Sequence, residues 1–156
     1  MPDITFRRIR HHDLSKVQTS LMGPKKVKVG FPSGKADAGN IKKAIWNHFG
    51  TKGGASGGGW GGPIPERPFL TNAMRDNRAS YRQGMKISAK KLLIGATSLN
   101  TVLSKLGIKA QGDIQTEITS LSSPPNSSVT IEMKGSSNPL IDNGEMRAAV
   151  TWKIDE

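Results

Sequence analysis

Residues 41–70 read IKKAIWNHFGTKGGASGGGWGGPIPERPFL, and this segment divides into three parts of different character. In the first part, apolar side chains recur at the three- and four-residue spacing of one helix face, at Ile41, Ala44, Ile45 and Phe49. Gly50 follows, and glycine readily takes the left-handed conformation that closes a last helical turn. The first part therefore predicts an amphipathic helix that ends at Gly50.

The second part is dominated by glycine, which fills eight of the thirteen positions from 50 to 62. Glycine loses more backbone freedom on ordering than other residues, so we expect this part to be floppy in the free subunit. The third part is stiffened by three prolines, and the last of them, Pro68, suits the start of a new helix. Residues 51–66 are therefore predicted to form a Gly/Pro-rich arm that protrudes from a rigid base.

Trp60 is the one large apolar side chain in the glycine run. Such a side chain either folds back onto its own domain or anchors in a pocket of a partner. Because tryptophan is enriched at the centres of protein interfaces, we favour the partner. Trp46 and Trp152 lie at positions that fit a core or its edge.

The composition indicates a basic protein of one domain, residues 1–156. The formal net charge is +11, which favours contact with DNA, an anionic membrane or an acidic protein; a solvated basic face without a ligand is the alternative. Aromatic residues make up only 5%, which argues against a protein that stacks single-stranded bases. There is no cysteine, no apolar run long enough to span a membrane and no signal-peptide core, so we expect a soluble intracellular protein with no membrane contact.

The remaining sequence predicts an α+β fold: a small antiparallel sheet packed against a long helix, with a long Gly-rich extended loop. We expect helices over residues 14–22, 78–94 and 98–121, and strands over residues 27–31 and 149–154. One or two further strands are expected in the sheet. Residues 129–134 alternate like a strand, but Ser127 or Ser128 could instead cap a helical turn, and both interpretations stay open.

No residue pattern predicts catalysis. The glycine run lacks the Gly-Lys-Ser/Thr of a phosphate-binding loop and leads into Pro63 instead of a helix. His11 and His12 are adjacent and therefore point in different directions, and a zinc site without cysteine would need distant carboxylates. We therefore predict no enzyme activity, no catalytic residue, no metal and no cofactor.

Several of these segments together resemble the tail-completion or neck proteins of tailed bacteriophages, a family of minor tail components and virion-morphogenesis proteins. The similar motifs occur in the family's order across most of the chain. They are Val-x-Val-Gly-Phe at 27–31, Ala-Ile-Trp-Asn-His-Phe-Gly-Thr at 44–51, Ile-Pro-Glu-Arg-Pro-Phe-Leu at 64–70, the helix with Leu106-Gly107, Ile114 and Ile118, and Lys-Gly-Ser at 134–136 before Pro-Leu-Ile-Asp-Asn-Gly-Glu-Met at 139–146. The chain departs from the family at His48, where Glu is common, and at Asn143, where the usual motif is Asp-Thr-Gly.

The resemblance implies a structural virion protein without catalytic residues, located in the tail or neck of the virion and in the host cytoplasm during assembly. It implies a ring, commonly a homo-hexamer, that completes the head-proximal end of the tail. Its partners would be the tail tube or tail terminator protein and the head connector or adaptor protein, with non-specific contact to DNA in the lumen. The arm would contact neighbouring subunits or rings. The alternative function is a basic stand-alone DNA-binding protein.

The resemblance also bears on particular residues. It implies that the segment around Arg67 is a stiff hinge that aims the arm, although the same residues fit a plain helix start. It favours a short helix over residues 127–133. The predicted partner-binding residues are Trp60, Ile64, Arg67, Pro68 and Phe69.

Overall fold

The computed structural model describes residues 14–32, 34, 36–53 and 62–155. Over these residues the chain forms seven helices and two strands. In chain order they are α1 (Leu14–Leu21), β1 (Lys26–Gly30), α2 (Ala38–Phe49), α3 (Phe69–Asp76), α4 (Arg78–Leu93), α5 (Leu99–Ser120), α6 (Ser128–Lys134), α7 (Glu145–Ala148) and β2 (Thr151–Asp155). The predicted α+β class is confirmed.

Strands β1 and β2 pair antiparallel, with Val27 opposite Ile154 and Val29 opposite Trp152. The long helix α5 contacts both strands, as predicted. Ser98 caps α5, since its side chain accepts a hydrogen bond from the Thr101 N–H group. The described part of the chain contains no third strand, so the expectation of one or two further strands is wrong for those residues.

Residues 128–134 form helix α6, which settles the open choice between strand and helix. The Ser127 side chain accepts a hydrogen bond from the Thr130 N–H group at 3.3 Å. Gly135 then ends the helix in the left-handed conformation, with φ of 65°. A serine cap and a glycine stop outweigh the weak period-two alternation of a segment that buries no side chain.

The core lies between α3, α5 and the segment that leads into β2. Its largest fully buried side chains are Phe69, Ile114, Ile118 and Val150. Helix α5 lies close against the sheet at Gly107, where an added Cβ atom would lie 2.7 Å from Cδ2 of Trp152. This close approach explains why the best helical pattern in the chain includes a glycine.

Helix α4 is much more exposed than its periodicity suggests. Leu92 is buried and Tyr81 is half-buried, with the Tyr81 hydroxyl donating to Asp113 Oδ2 on α5 at 2.8 Å. Met85 and Ala89, which share this spacing, are exposed. The helix therefore touches the domain along a narrow face and leaves most of its circumference in solvent.

Helix α2 ends at Gly50 as predicted, with φ of 71° at that glycine, but it buries a different face. The buried residues are Asn40, Ala44 and His48, whereas Ile45 and Phe49 are exposed. The buried face of α2 is thus shifted by one residue from the predicted one, although Ala44 belongs to both. The physical reason lies in the partners: the His48 ring packs edge-on against Phe69, with 5.4 Å between centroids, and this contact turns Ile45 and Phe49 outward.

Candidate functional site at the base of the arm

Residues 54–61 of the predicted arm lie outside the described residues, but the segments that flank them meet at one place, which we call the arm base. The Thr51 N–H group donates to the Ile64 carbonyl oxygen at 2.9 Å, and the Ile64 N–H group donates to Thr51 Oγ1 at 3.2 Å. Gly50 must be glycine here, because an added Cβ atom would lie 2.8 Å from the same Ile64 oxygen. Thr51, which follows α2, and Ile64, which follows the glycine run, are therefore fixed side by side.

Arg67 locks this base to the rest of the domain. Its side chain is 2% exposed and donates four hydrogen bonds, all to neutral acceptors on two other segments. Nε donates to the Pro124 carbonyl oxygen at 2.8 Å and Nη1 to Asn47 Oδ1 at 3.1 Å. Nη2 donates to the Pro125 carbonyl oxygen at 3.0 Å and to Asn126 Oδ1 at 3.1 Å. One guanidinium thus joins α2, the returning end of the arm and the loop before α6.

Burial lowers the pKa of Arg67, because a charged group loses its hydration when it leaves water. Arginine nevertheless stays protonated in proteins, so the site contains a buried positive charge held by oriented dipoles. The planar fork of the guanidinium is what allows several acceptors to be satisfied together. This geometry indicates a rigid joint.

A groove of about 650 Å³ lies beside the arm base. Its lining comes from α2, both ends of the arm, the loop before α6, α6 itself and residues 139–146. Apolar side chains, among them Trp46, Ile64 and Met146, alternate with polar ones such as Asn126 and Asp142. The groove therefore offers both apolar contact area and hydrogen-bonding groups.

Charged groups of both signs surround the groove. Lys134 donates through Nζ to the Asn138 carbonyl oxygen at 3.0 Å, and partial burial lowers its pKa although the Asp142 charge acts in the opposite direction. Lys43 of α2 and Glu145 of α7 form an exposed ion pair with 3.5 Å between nitrogen and oxygen. The rim thus carries both positive and negative side chains, although the net charge of the whole chain is strongly positive.

His48 is the buried titratable group behind the groove. Its Nε2 atom lies 3.4 Å from Thr71 Oγ1, while Nδ1 is buried and has no hydrogen-bond partner among the described residues. Burial lowers the pKa of His48, and the nearby Glu66 charge only partly opposes this. His48 packs between Phe49 and Phe69, so it acts here as a neutral core side chain.

The predicted partner-binding residues differ in accessibility. Ile64 and Pro68 are half-buried at the arm base, and Trp60 lies outside the described residues. Phe69 is fully buried and Arg67 nearly so, which means that a partner cannot reach either side chain in this conformation. Their place in the structure is behind the arm, where they hold its base.

The sequence interpretation missed three residues near this site. Ile45 and Phe49 were assigned to the core, but they are 49% and 69% exposed on the outer face of α2. Trp46 lines the groove. One sequence signal could have identified the exposed pair. Asn40, Ala44 and His48 recur at four-residue spacing, as the apolar residues of α2 do, and this is the stripe that α2 buries, with His48 against Phe69.

Over the described ranges, no set of three or more His, Asp or Glu side chains is arranged to hold a metal ion. No described helix is both long enough and apolar enough to cross a membrane. Comparison with known proteins finds no protein-family model, no curated protein and no solved structure that matches this chain.

Proposed function

We propose that this protein is a structural virion protein that completes the head-proximal end of a phage tail and joins the tail to the head. In this proposal six copies form a ring between the tail tube or tail terminator protein and the head connector, around a lumen through which DNA passes. The arm of residues 51–66 contacts neighbouring subunits or rings. No catalytic step is part of this function.

One observation supports the proposal above the others: the segments that carry the family resemblance meet at one place. Residues 44–51, 64–70 and 139–146 are far apart in the sequence, yet all three contribute to the groove or to the arm base. This convergence supports a common role for the three segments. The shared structure is a clamped base with an arm.

The geometry of the base suits an arm that becomes ordered on assembly. The hydrogen bonds between Thr51 and Ile64, together with the Arg67 clamp, fix where both ends of the arm leave the domain. Only the segment beyond this point must then lose conformational freedom on binding, which lowers the entropic penalty of the contact. Trp60 lies two residues before Gly62, which lines the groove, and supplies an apolar anchor for the partner.

The exposed face of α2 extends this contact surface. Ile45 and Phe49 are one helical turn apart and lie next to the point where the arm departs. Exposed apolar side chains of this kind, beside a mixed-charge rim, are typical of protein interfaces. A neighbouring subunit that accepts the arm would cover both of them.

Binding to tail tubes tests this function. Purified protein is mixed with tail tubes that lack their head-proximal end, and bound protein is quantified after sedimentation at low and at moderate salt. We expect salt-tolerant binding that Trp60→Ala abolishes and that Trp60→Phe, which keeps an aromatic anchor, largely retains. Lys52→Gln serves as the matched control, because it changes another arm residue without altering the anchor.

Two results would contradict the proposal. The first is that wild-type protein does not bind tail tubes at any salt concentration, which would exclude a role at the tail end. Binding that is unchanged in Trp60→Ala but disappears as salt rises would show a charge-driven contact in which the arm has no part.

A further inference from the structure

Helix α4 combines a high density of positive charge with a regular helical spacing of its basic side chains. Its sixteen residues, RASYRQGMKISAKKLL, contain five Lys or Arg side chains and no Asp or Glu. The whole protein has 23 basic and 12 acidic residues, so an acid-free helix of this length is a local concentration of positive charge. All five basic side chains are exposed.

Four of these side chains are regularly spaced. Arg78, Arg82, Lys86 and Lys90 follow one another at intervals of four residues, which places them in a row along the helix surface. At 1.5 Å per residue, the twelve residues from first to last extend about 18 Å. We call these four residues the basic ridge.

The helix presents the ridge to solvent because a different face packs against the domain. Tyr81 and Leu92 lie on the packed side, where the Tyr81 hydroxyl donates to Asp113 on α5. Asp113 also forms an ion pair with Lys109 of α5 at 3.3 Å. The carboxylate on the packed side is therefore paired with Lys109 and Tyr81 and does not neutralise the ridge.

The charge of the ridge is not neutralised within the described residues. The ion pairs found there involve Lys28, Lys43, Arg75 and Lys109, and no member of the ridge. Asp76, the acid closest in sequence, pairs with Arg75 instead. Four adjacent cations without counter-charges repel one another. A bound polyanion would reduce this repulsion.

We propose that the basic ridge of α4 binds the phosphate backbone of duplex DNA without regard to base sequence. Duplex DNA offers one negative charge per about 1.7 Å of its axis, so a linear ridge of this length faces a dense and regular line of phosphates. Lys and Arg contacts to phosphates fix position and carry no sequence information by themselves.

An anionic membrane is the competing polyanion, and α4 fits it less well. A helix that lies in a membrane interface inserts a continuous apolar face. The exposed apolar side chains here are Met85, Ile87, Leu93 and Ile94, and basic side chains, Lys86, Lys90 and Lys91, interrupt them. The face with Tyr81 and Leu92 is already used inside the domain, where α4 contacts α1 and α5.

This inference does not depend on the tail-joint function, although DNA in the lumen of a ring would meet such a ridge. If the protein forms no ring but binds DNA through the ridge, this inference stands and the proposed function fails. If it forms a ring that binds tail tubes but not DNA, the proposed function stands and this inference fails.

The test compares two double variants of equal net charge. Arg82→Gln with Lys86→Gln removes the centre of the ridge. Lys42→Gln with Lys52→Gln removes two exposed lysines, on α2 and at the arm base, that form no ion pair with another described residue. Each variant lowers the formal charge from +11 by two, to +9. Glutamine is a good helix former, so the ridge variant is expected to fold.

Affinity for two unrelated duplexes of equal length is measured by fluorescence anisotropy at 50, 100 and 200 mM salt. Each phosphate contact contributes about −0.9 to the slope of log affinity against log salt, so the ridge variant should lose about 1.8 from the slope. Over this fourfold change in salt, the wild-type affinity should therefore fall about twelvefold more than that of the ridge variant. The control variant should keep the wild-type slope, and the two duplexes should bind equally.

Three results would overturn the proposal. The first is an equal loss of slope in the control variant, which would show that only net charge matters. The second is a marked preference for one duplex sequence. The third is tighter binding to phosphatidylserine-containing vesicles or to polyglutamate than to DNA, which would assign the ridge to a membrane or to an acidic protein.

Discussion

The contact between Gly107 of α5 and Trp152 of β2 predicts different effects on stability for two chemically identical substitutions. At Gly107 an added Cβ atom would lie 2.7 Å from Trp152 Cδ2 and 2.9 Å from both Cγ and Cε3. Gly112 is on the same helix, and an added Cβ atom there meets no atom within 4 Å. Gly107→Ala therefore tests the close approach, with Gly112→Ala as its matched control.

The magnitude follows from two terms. Replacing a helical glycine by alanine favours the helix by about 0.8–1.0 kcal/mol at either position, so Gly112→Ala should be stabilising by that amount. Carbon atoms normally pack about 3.5–4.0 Å apart, so Gly107→Ala must push the indole or the helix by about 1 Å. Overpacking of this kind costs about 1–3 kcal/mol, and this term is the whole difference between the two variants.

Thermal unfolding followed by circular dichroism measures the difference. For a domain of this size 1 kcal/mol corresponds to about 2–4 °C, so Gly107→Ala should melt about 2–12 °C below Gly112→Ala. Adding Trp152→Val to Gly107→Ala should remove most of the overpacking, which appears as a favourable coupling in the double-mutant cycle. If Gly107→Ala melts at or above Gly112→Ala, then α5 does not lie against the sheet in the way described.

Three further predictions concern the base of the arm. Arg67→Lys keeps the charge but cannot reproduce the planar fork, so buried acceptors lose their donors and the free energy of unfolding in urea should fall by about 2–4 kcal/mol; a loss below 1 kcal/mol would show that the clamp is not formed. Because the pKa of His48 is below its ordinary value of 6.5 in the folded protein, the unfolded chain binds more protons on acidification, and the stability present above about pH 6.5 should decline below it. The melting temperature should consequently fall less from about pH 7.5 to about pH 5.5 in His48→Gln than in the wild type, and equal falls would contradict a buried neutral imidazole. Phe49→Ser should lower the free energy of unfolding by no more than about 1.5 kcal/mol, because the exposed ring loses only its edge contact with His48, while it weakens binding to tail tubes. A loss of several kcal/mol would return Phe49 to the core.

Much of the fold could be predicted because its elements carry strong local signals. Helix α5 has an unbroken apolar stripe and a serine cap, and its observed range differs from the predicted one by a single residue at each end. Strand β1 shows clean alternation, and Gly50 marks the end of α2. These features depend on backbone propensity and period, which the sequence contains directly.

The errors arise where a tertiary contact chose between two local solutions. Helix α2 has two possible buried stripes, and the packing of His48 on Phe69 selected the one with fewer apolar side chains. The sequence predicted a stiff hinge or a helix start around Arg67 but not the bonds of its side chain, because the acceptors come from residues 47 and 124–126, which no local pattern connects to it. The basic ridge was visible as charge, yet only the packing of Tyr81 shows which side of α4 is free.

The mass of the purified protein in solution tests the central claim, a ring-forming joint, most directly. Light scattering at low and at high salt, with and without duplex DNA, distinguishes a ring from a monomer. The account predicts a salt-stable species near six times 16.8 kDa, about 101 kDa, in which Phe49→Ser and Trp60→Ala shift the mass downward. A 16.8 kDa monomer at every concentration and salt, which also ignores tail tubes and binds DNA in a steeply salt-dependent way, would contradict the joint and favour a stand-alone DNA-binding protein.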